Sequence, residues 1–150
     1  MERPFKKYTN EAFTAVTALG TAYFYVIVII LLILLDFKRT ALHLAVGLLI
    51  LYAMVFTLRI FYFRERPNKE RYYSFVTRLS ASSFPSLHTI NSIFTASVLS
   101  QIVNRNLSIF FYIIALLVAY SRVHIKKHHW SDVIAGIIIG TAAALIYLAL

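Results

Sequence analysis

Five stretches of this chain are long and apolar enough to cross a lipid bilayer as helices. A helix needs about 20 mostly apolar residues to span the hydrocarbon core. The candidate spans cover residues 12–35, 41–63, 86–103, 107–124 and 129–150, and the first contains no Asp, Glu, Lys or Arg. The pattern therefore predicts an all-α integral membrane protein, a bundle of about five transmembrane helices.

The third predicted span is uncharged but carries many hydroxyl and amide side chains. His88, Asn91, Ser92 and Thr95 are three or four residues apart, so they share one face of a helix. Small and hydroxylated residues favour contacts between helices inside a membrane. We therefore expect this helix to lie within the bundle and to present one polar face.

The segment 64–85, between the second and third spans, predicts a short helix at the membrane surface. Tyr72, Phe75, Val76 and Leu79 follow the spacing i, i+3, i+4, i+7, which is typical of a helix with a single apolar face. Basic residues occupy other positions of the same segment. A helix of this kind lies flat where the headgroups meet the hydrocarbon.

The composition agrees with a membrane location and favours membrane lipid over nucleic acid as the partner. Hydrophobic residues make up 60% of the chain and charged residues 14%, whereas soluble domains average about 25% charged residues. A disordered chain and a soluble nucleic-acid-binding protein are excluded, although the net charge is +9. We expect a single membrane-embedded domain over residues 1–150, with membrane lipid and no nucleic acid as its partner.

Most of the 15 lysines and arginines fall on one side of the predicted bundle. Five spans place the N-terminus and the loops 64–85 and 125–128 on this side. The positive-inside rule assigns such a side to the cytoplasm. Because several of these arginines also suit a binding site, the opposite orientation stays open. We expect an integral protein of the cell membrane, with the side of the site unassigned.

Three clusters of polar residues lie at helix ends on this same side. Singly, each has an ordinary explanation: an arginine anchors a helix end, a histidine packs at a helix start, and a His–Asp pair forms a local hydrogen bond. Ionisable residues at membrane spans are costly and are usually functional, and unrelated residues would scatter over both membrane faces. The clusters are Arg59 with Arg66-Pro67, then Pro85-Ser86-Leu87-His88, then Ser121-Arg122 with His128 and Asp132.

Phosphoryl transfer is the chemistry that these clusters suit. Forked guanidinium groups neutralise phosphate, which three arginines supply (Arg59, Arg66 and Arg122). Pro85-Ser86 predicts a helix start, where the Ser86 hydroxyl and the Leu87 backbone N–H add donors for an anion. With this many cations, the reaction needs no metal and no cofactor.

Two histidines and an aspartate complete the predicted chemistry. His128 is a candidate nucleophile, because a neutral imidazole attacks phosphorus near neutral pH. Asp132 follows four residues later, so in a helix it reaches back to the His128 ring and fixes its tautomer. His88 is a candidate general acid for the leaving oxygen and a base for the hydrolytic water.

The three clusters together resemble the type 2 phosphatidic acid phosphatase superfamily of lipid phosphatases and related haloperoxidases. That family carries K-x6-R-P, P-S-G-H and S-R-x5-H-x3-D in this order. The third motif matches in full, whereas Arg59 replaces the lysine of the first and Leu87 the glycine of the second. The corresponding stretches, within residues 41–150, are Arg59-IFYFRE-Arg66-Pro67, Pro85-Ser86-Leu87-His88 and Ser121-Arg122-VHIKK-His128-HWS-Asp132.

The resemblance implies a membrane lipid phosphatase that forms a phosphohistidine on His128. It implies that Asp132 orients this histidine and that His88 is the general acid. The implied substrates are isoprenyl diphosphates, phosphatidic acid and phosphatidylglycerophosphate. The implied phosphate-binding residues are Arg59, Arg66, Ser86, Leu87 (through its backbone) and Arg122.

Leu87, which replaces the glycine of the family motif, allows two opposite expectations for phosphate binding. If the glycine place needs a left-handed backbone or close approach of the phosphate, leucine impairs binding; if the residue merely begins a helix, leucine is tolerated. A non-catalytic protein that binds anionic lipid, and a lipid phosphotransferase with the same site, stay open as alternatives. Gly136 and Gly140 have the four-residue spacing of a close helix contact, and the oligomeric state is unassigned.

Overall fold

Seven helices and no strand make up the part of the chain that the structure describes. The computed structural model describes residues 4–149, with side chains from residue 8 onward. The predicted all-α fold is confirmed. The helices are α1 (Pro4–Ala18), α2 (Ala22–Leu34), α3 (Lys38–Phe61), α4 (Phe75–Ala81), α5 (Leu87–Leu99), α6 (Arg105–His124) and α7 (Trp130–Leu148).

Within residues 4–149, three helices are each long and apolar enough to cross a membrane, namely α3, α6 and α7. Helices α1 and α2 form a bent pair that makes a fourth crossing if it is counted as one span. The fifth apolar helix, α5, has only 13 residues, which is about 20 Å at 1.5 Å per residue and shorter than the hydrocarbon core. The chain is an integral membrane protein.

The predicted first span, residues 12–35, is not one continuous helix. Its helices α1 and α2 meet at an angle of 49°. Thr21 begins α2 by accepting a hydrogen bond from the Phe24 N–H at 3.5 Å. Gly20, just before it, packs so tightly that a Cβ there would lie 2.8 Å from Val118 and 2.9 Å from the His88 ring. The bend thus follows from a cap and from close packing, neither of which hydropathy detects.

Helix α5 lies in the centre of the bundle, and its residues from Thr89 to Val98 are all buried. The prediction that this polar segment lies inside the bundle is confirmed. Gly136 and Gly140 of α7 face it: a Cβ on Gly136 would lie 3.0 Å from the Ser86 carbonyl oxygen, and one on Gly140 2.8 Å from that of Ile90. The missing side chains let α7 approach α5 closely.

The predicted surface helix is present as α4. Ser74 begins it with a capping box, accepting from the Thr77 N–H at 3.2 Å. It buries Leu79 and leaves Phe75 and Val76 exposed. Tyr72 precedes the helix, so the helix is shorter than the apolar pattern suggests.

Candidate active site

Backbone hydrogen bonds bring the three loops that carry the motifs to one end of the bundle. The Asn68 N–H donates to the Lys126 carbonyl at 3.0 Å, and the Ser83 N–H to that of Arg64 at 2.8 Å. The start of α5 is tied to α7, because the Ser86 N–H donates to the Asp132 carbonyl at 3.1 Å. The three predicted clusters therefore lie together.

His128 is buried and held by a main-chain carbonyl. Its Nδ1 lies 2.6 Å from the Ser83 carbonyl oxygen. A carbonyl only accepts, so Nδ1 carries the proton and Nε2 keeps its lone pair. The loop is set by Lys126, whose φ is 58°, and by the bond from the His128 N–H to the Arg122 carbonyl at 3.1 Å. The geometry leaves Nε2 as the reactive nitrogen of this ring.

The surroundings of His128 favour its neutral form. Burial lowers its pKa well below the usual value of 6.5, and the nearby positive charges of Arg122 and Arg66 lower it further. The ring is therefore uncharged near neutral pH. Below pH 6.5 the unfolded chain takes up this proton before the folded chain does, so the histidine makes the fold less stable as the pH falls.

Asp132 is fully buried and anchors two other groups. Its Oδ1 accepts from Arg64 Nη1 at 2.6 Å, and its Oδ2 from the His129 N–H at 2.8 Å. The nearest approach to His128 joins Oδ2 and Nδ1 at 3.9 Å, which is longer than a hydrogen bond. The hydrogen bond expected between the ring and Asp132 is thus replaced by the one to the Ser83 carbonyl, and Asp132 contributes a nearby negative charge.

Arg59 has a different environment from the one expected of a phosphate ligand. Its guanidinium is buried, and it donates to the carbonyls of Phe84 at 3.2 Å, Leu79 at 3.2 Å and Pro85 at 2.9 Å. Two of its nitrogens therefore hold the segment that leads into α5, and the third holds the end of α4. An arginine suits these three carbonyl acceptors better than a lysine, which offers a single donor atom.

Arg66 and Lys127 share an acidic partner that the sequence did not single out. Arg66 Nη1 lies 2.5 Å from Glu70 Oε2, and Arg66 Nη2 donates to the Ser80 carbonyl at 2.6 Å. Lys127 Nζ donates to the other oxygen of Glu70. Burial raises the pKa of Glu70, but the hydrogen bonds from Lys127 and Arg66 outweigh it and hold the pKa below its usual range. A phosphate that binds Arg66 must share this arginine with Glu70.

Arg122 is the charged group whose environment points most directly to a bound anion. It is 5% exposed. Its Nε is buried without a hydrogen-bond partner, and its guanidinium makes no hydrogen bond or ion pair with any residue in the described part of the chain. A buried charge without a partner is strongly unfavourable, so an anionic ligand next to α6 would relieve it.

The start of α5 supplies donors of the kind that a phosphate requires. Ser86 is buried, and its Oγ accepts from Thr89 Oγ1 at 2.9 Å, which leaves its own hydroxyl proton available. The N–H groups of Leu87 and His88 lie in the first turn, where a helix has no internal acceptor. Leu87 is not among the described residues with a left-handed backbone. It begins α5 with an ordinary backbone, so this position does not need the left-handed conformation of a glycine. That leucine also leaves room for a phosphate stays a prediction.

The other histidines lie outside this cluster. His124 Nε2 is 3.2 Å from Asn10 Oδ1, and its ring packs on Phe13 of α1. His129 is half-buried, and its Nε2 is 3.3 Å from the Glu65 carbonyl oxygen. His43 packs on Tyr147 near the opposite end of the bundle.

Sequence reasoning missed several residues that shape the site. Arg64 pairs with Asp132, and Glu70 pairs with Arg66. The Ser83 carbonyl holds the His128 ring, and Gly20 packs on His88. Arg64 lies between Arg59 and Arg66 in the first motif, and its charge at that position indicates a role in the site. Gly20 interrupts an otherwise apolar run, which was the signal for a close contact.

The fold and the site define a helical membrane protein with a buried histidine, buried cations and a helix N-terminus at one end of its bundle. The model of the PAP2 superfamily matches residues 40–150 of this sequence. The chain belongs to the PAP2 superfamily, the family that its motifs resemble.

Similar proteins agree with this assignment. A "Putative phosphatidate phosphatase" of Drosophila melanogaster is 37% identical in a match that covers 43% of this chain and 20% of that protein. LpxE of Aquifex aeolicus has a TM-score of 0.81 at 25% identity, over 99% of this chain and 88% of its own. A transmembrane PAP2 type phosphatidylglycerolphosphate phosphatase from Bacillus subtilis has a TM-score of 0.80 at 21% identity, over 99% of this chain and 78% of its own. The last shows the fold alone.

Proposed function

We propose that this protein is a lipid phosphatase that hydrolyses a phosphate or diphosphate monoester of a membrane lipid through a phosphohistidine. The observation that carries the proposal is a pair of groups at one end of the bundle: the neutral His128 with Nε2 available, and the unpaired, buried Arg122. The name of the Drosophila melanogaster relative points to phosphatidate as a substrate, and isoprenyl diphosphates suit the same phosphate site. The domain extends over residues 1–150.

The reaction takes place in two steps at phosphorus. His128 Nε2 forms a bond to phosphorus while the bond to the lipid oxygen breaks, and His88, which enters this step in its protonated form, gives that oxygen a proton. A water then gives a proton to His88, and its oxygen attacks phosphorus and breaks the P–N bond. Inorganic phosphate leaves, and both histidines return to their starting states.

Other residues bind the phosphoryl oxygens or hold those that do. Arg122, Arg66, the Ser86 hydroxyl and the Leu87 N–H bind the negative charge that develops in the transition state. Arg59 holds the segment before α5 through two of its three carbonyl contacts, so it positions Ser86 and Leu87.

The test is release of inorganic phosphate by the purified protein in detergent. The panel contains phosphatidic acid, phosphatidylglycerophosphate and an isoprenyl diphosphate, each with and without EDTA. We expect activity that survives EDTA, and inhibition by vanadate, which adopts the five-coordinate geometry of the transferred group. No release from any lipid would contradict the proposal. Transfer of the phosphoryl group to a second lipid would indicate a phosphotransferase, and full metal dependence would exclude the metal-free route.

Asp132→Asn is expected to slow turnover only moderately. The Ser83 carbonyl keeps the tautomer of His128, so the variant loses mainly the negative charge near the ring and the ion pair with Arg64. We expect kcat to fall roughly 10- to 100-fold, less than the ~10⁴-fold loss seen when a sole orienting aspartate is removed. Asp36→Asn, at an exposed position, is the control. A loss near 10⁴ in a folded variant would show that Asp132 takes over the Nδ1 proton during turnover.

A further inference from the structure

Glu70 binds two cations next to the proposed phosphate site. One of its oxygens accepts from Arg66 Nη1 at 2.5 Å, and the other accepts from Lys127. Arg66 belongs to the first motif, and Lys127 directly precedes His128. The charge of Glu70 also acts on Arg122, the buried cation of α6. One carboxylate therefore neutralises part of the positive charge that the proposed reaction uses to bind phosphate.

Arg66 has little capacity left for a second anion. Its Nη2 donates to the Ser80 carbonyl at 2.6 Å, and its Nε is buried. The remaining nitrogen, Nη1, is the one that donates to Glu70. A phosphate that binds Arg66 therefore shares this nitrogen with a carboxylate, and two anions at one guanidinium repel each other.

The position of Glu70 allows its side chain to turn away from a phosphate and to return. Glu70 lies in the irregular segment 62–74 between α3 and α4, and its side chain is 30% exposed. The backbone of this segment is fixed by the hydrogen bond from the Asn68 N–H to the Lys126 carbonyl. Rotation of the Glu70 side chain toward water breaks no bond of a helix, and the reverse rotation brings the carboxylate back to Arg66.

We propose that Glu70 competes with phosphate for Arg66, so that its carboxylate weakens the binding of inorganic phosphate and speeds the release of this product. The inference rests on the proposed function, in which Arg66 binds the phosphoryl oxygens and inorganic phosphate leaves last. A site with several cations holds a phosphate strongly, and product release limits turnover in many enzymes. A carboxylate that replaces phosphate at Arg66 keeps the cation paired, which lowers the free-energy cost of release.

A purely structural role for Glu70 predicts the opposite result, so the sign of one measurement separates the two. If Glu70 only holds Arg66 and Lys127 in place, Glu70→Gln loosens both cations and weakens phosphate binding. If Glu70 competes with phosphate, the same variant removes the repulsion and strengthens phosphate binding. Glutamine has the size of glutamate without its charge, so the substitution changes the loop little.

The experiment measures the dissociation constant of inorganic phosphate by isothermal titration calorimetry, with the purified full chain in detergent. We expect Glu70→Gln to lower this constant about tenfold, which corresponds to ~1.4 kcal/mol. Affinity differences between related complexes arise mostly from the dissociation rate. Release of phosphate after a single turnover of phosphatidic acid, followed with a fluorescent phosphate sensor, should therefore slow by a similar factor.

Glu65→Gln is the matched control, because it removes the same charge from the same segment. The Glu65 carboxylate pairs with Lys69 at 3.4 Å, and these two side chains are 64% and 81% exposed. Exposed pairs of this kind contribute little, so the dissociation constant of phosphate should stay within about twofold of the wild-type value. An equal gain in Glu65→Gln and Glu70→Gln would show that only the net charge matters and would overturn the proposal.

Unchanged or weaker phosphate binding in Glu70→Gln would also overturn it. Thermal unfolding is recorded for each variant, and Glu70→Ala, for which we expect the same sign, is measured in case the glutamine variant does not fold. If the wild type binds no measurable phosphate, binding that appears in Glu70→Gln supports the inference, and its absence overturns it.

The binding measurement keeps this inference separate from the proposed function, because it needs no turnover. If no lipid releases phosphate, the proposed function fails, and the dissociation constants still decide whether Glu70 competes with phosphate. If lipids are hydrolysed but phosphate binds Glu70→Gln more weakly than the wild type, the phosphatase stands and the competition is rejected.

Discussion

Replacement of His128 by alanine is expected to abolish phosphate release, by on the order of 10⁴-fold or more in kcat. The ring supplies the only protein atom that bonds to phosphorus in the proposed route. Its Nε2 is available because Nδ1 is tied to the Ser83 carbonyl. The measurement is a single-turnover assay with ³²P-labelled substrate, together with a search for acid-labile label on the protein.

His129→Ala is the matched control for this prediction. The His129 ring is half-buried, and its Nε2 lies 3.3 Å from the Glu65 carbonyl oxygen, away from the phosphate-binding residues. Its backbone N–H, which binds Asp132, is unchanged in the alanine variant. The variant should keep most of the activity. Equal losses in the two variants would contradict the assignment of the nucleophile.

Arg122→Gln is expected to lower kcat by about 10²- to 10³-fold, the usual loss when one preorganised donor to the transition-state charge is removed. Arg122 is buried beside His128 and has no anionic partner within hydrogen-bond distance in the described part of the chain. It is thus the arginine least committed to the fold itself.

The same variant should unfold at a temperature equal to or higher than that of the wild type. Removing an unpaired buried charge relieves its desolvation cost, so activity and stability are expected to change in opposite directions. Thermal unfolding in detergent tests this. Arg105→Gln, at the exposed start of α6, is the control for a lost charge. Full activity together with a marked loss of stability would show that Arg122 serves the fold and not the phosphate.

The helices were predictable because the membrane imposes a simple rule on the sequence. Spans must be apolar and about 20 residues long, and α3, α6 and α7 follow that rule closely. The break between α1 and α2 was not predictable from hydropathy. Its causes are the Thr21 cap and the packing of Gly20 on His88, and both depend on partners far away in the sequence.

The sequence predicted which residues form the candidate site better than it predicted the hydrogen bonds that these residues make. Motif spacing brought His128, Asp132 and Arg122 into one cluster. It could not show that a main-chain carbonyl, at Ser83, would hold the ring, because any residue type supplies a carbonyl. Nor could it separate Arg59, which holds backbone, from Arg122, since both are arginines near helix ends.

The charged residues of the loops were the hardest to interpret. Lys127 has the sequence context of a surface cation, yet it shares Glu70 with Arg66. Arg64 has the same context, yet it pairs with the fully buried Asp132. Whether a loop cation is solvated or paired depends on whether a carboxylate next to it is buried. The burial of a single carboxylate cannot be recognised from the local sequence.

Gly20 contacts the site from outside the region that the family model matches. The family model matches residues 40–150, yet the residue packed directly on the His88 ring lies twenty positions before that match begins. Helix α1 is further fastened to α6 by the hydroxyls of Thr17 and Ser121, 2.6 Å apart. A protein shortened to the matched region would lose both the residue that packs on the His88 ring and the helix bonded to Ser121, so we expect the smallest unit with an intact site to be larger than the region by which the family is recognised.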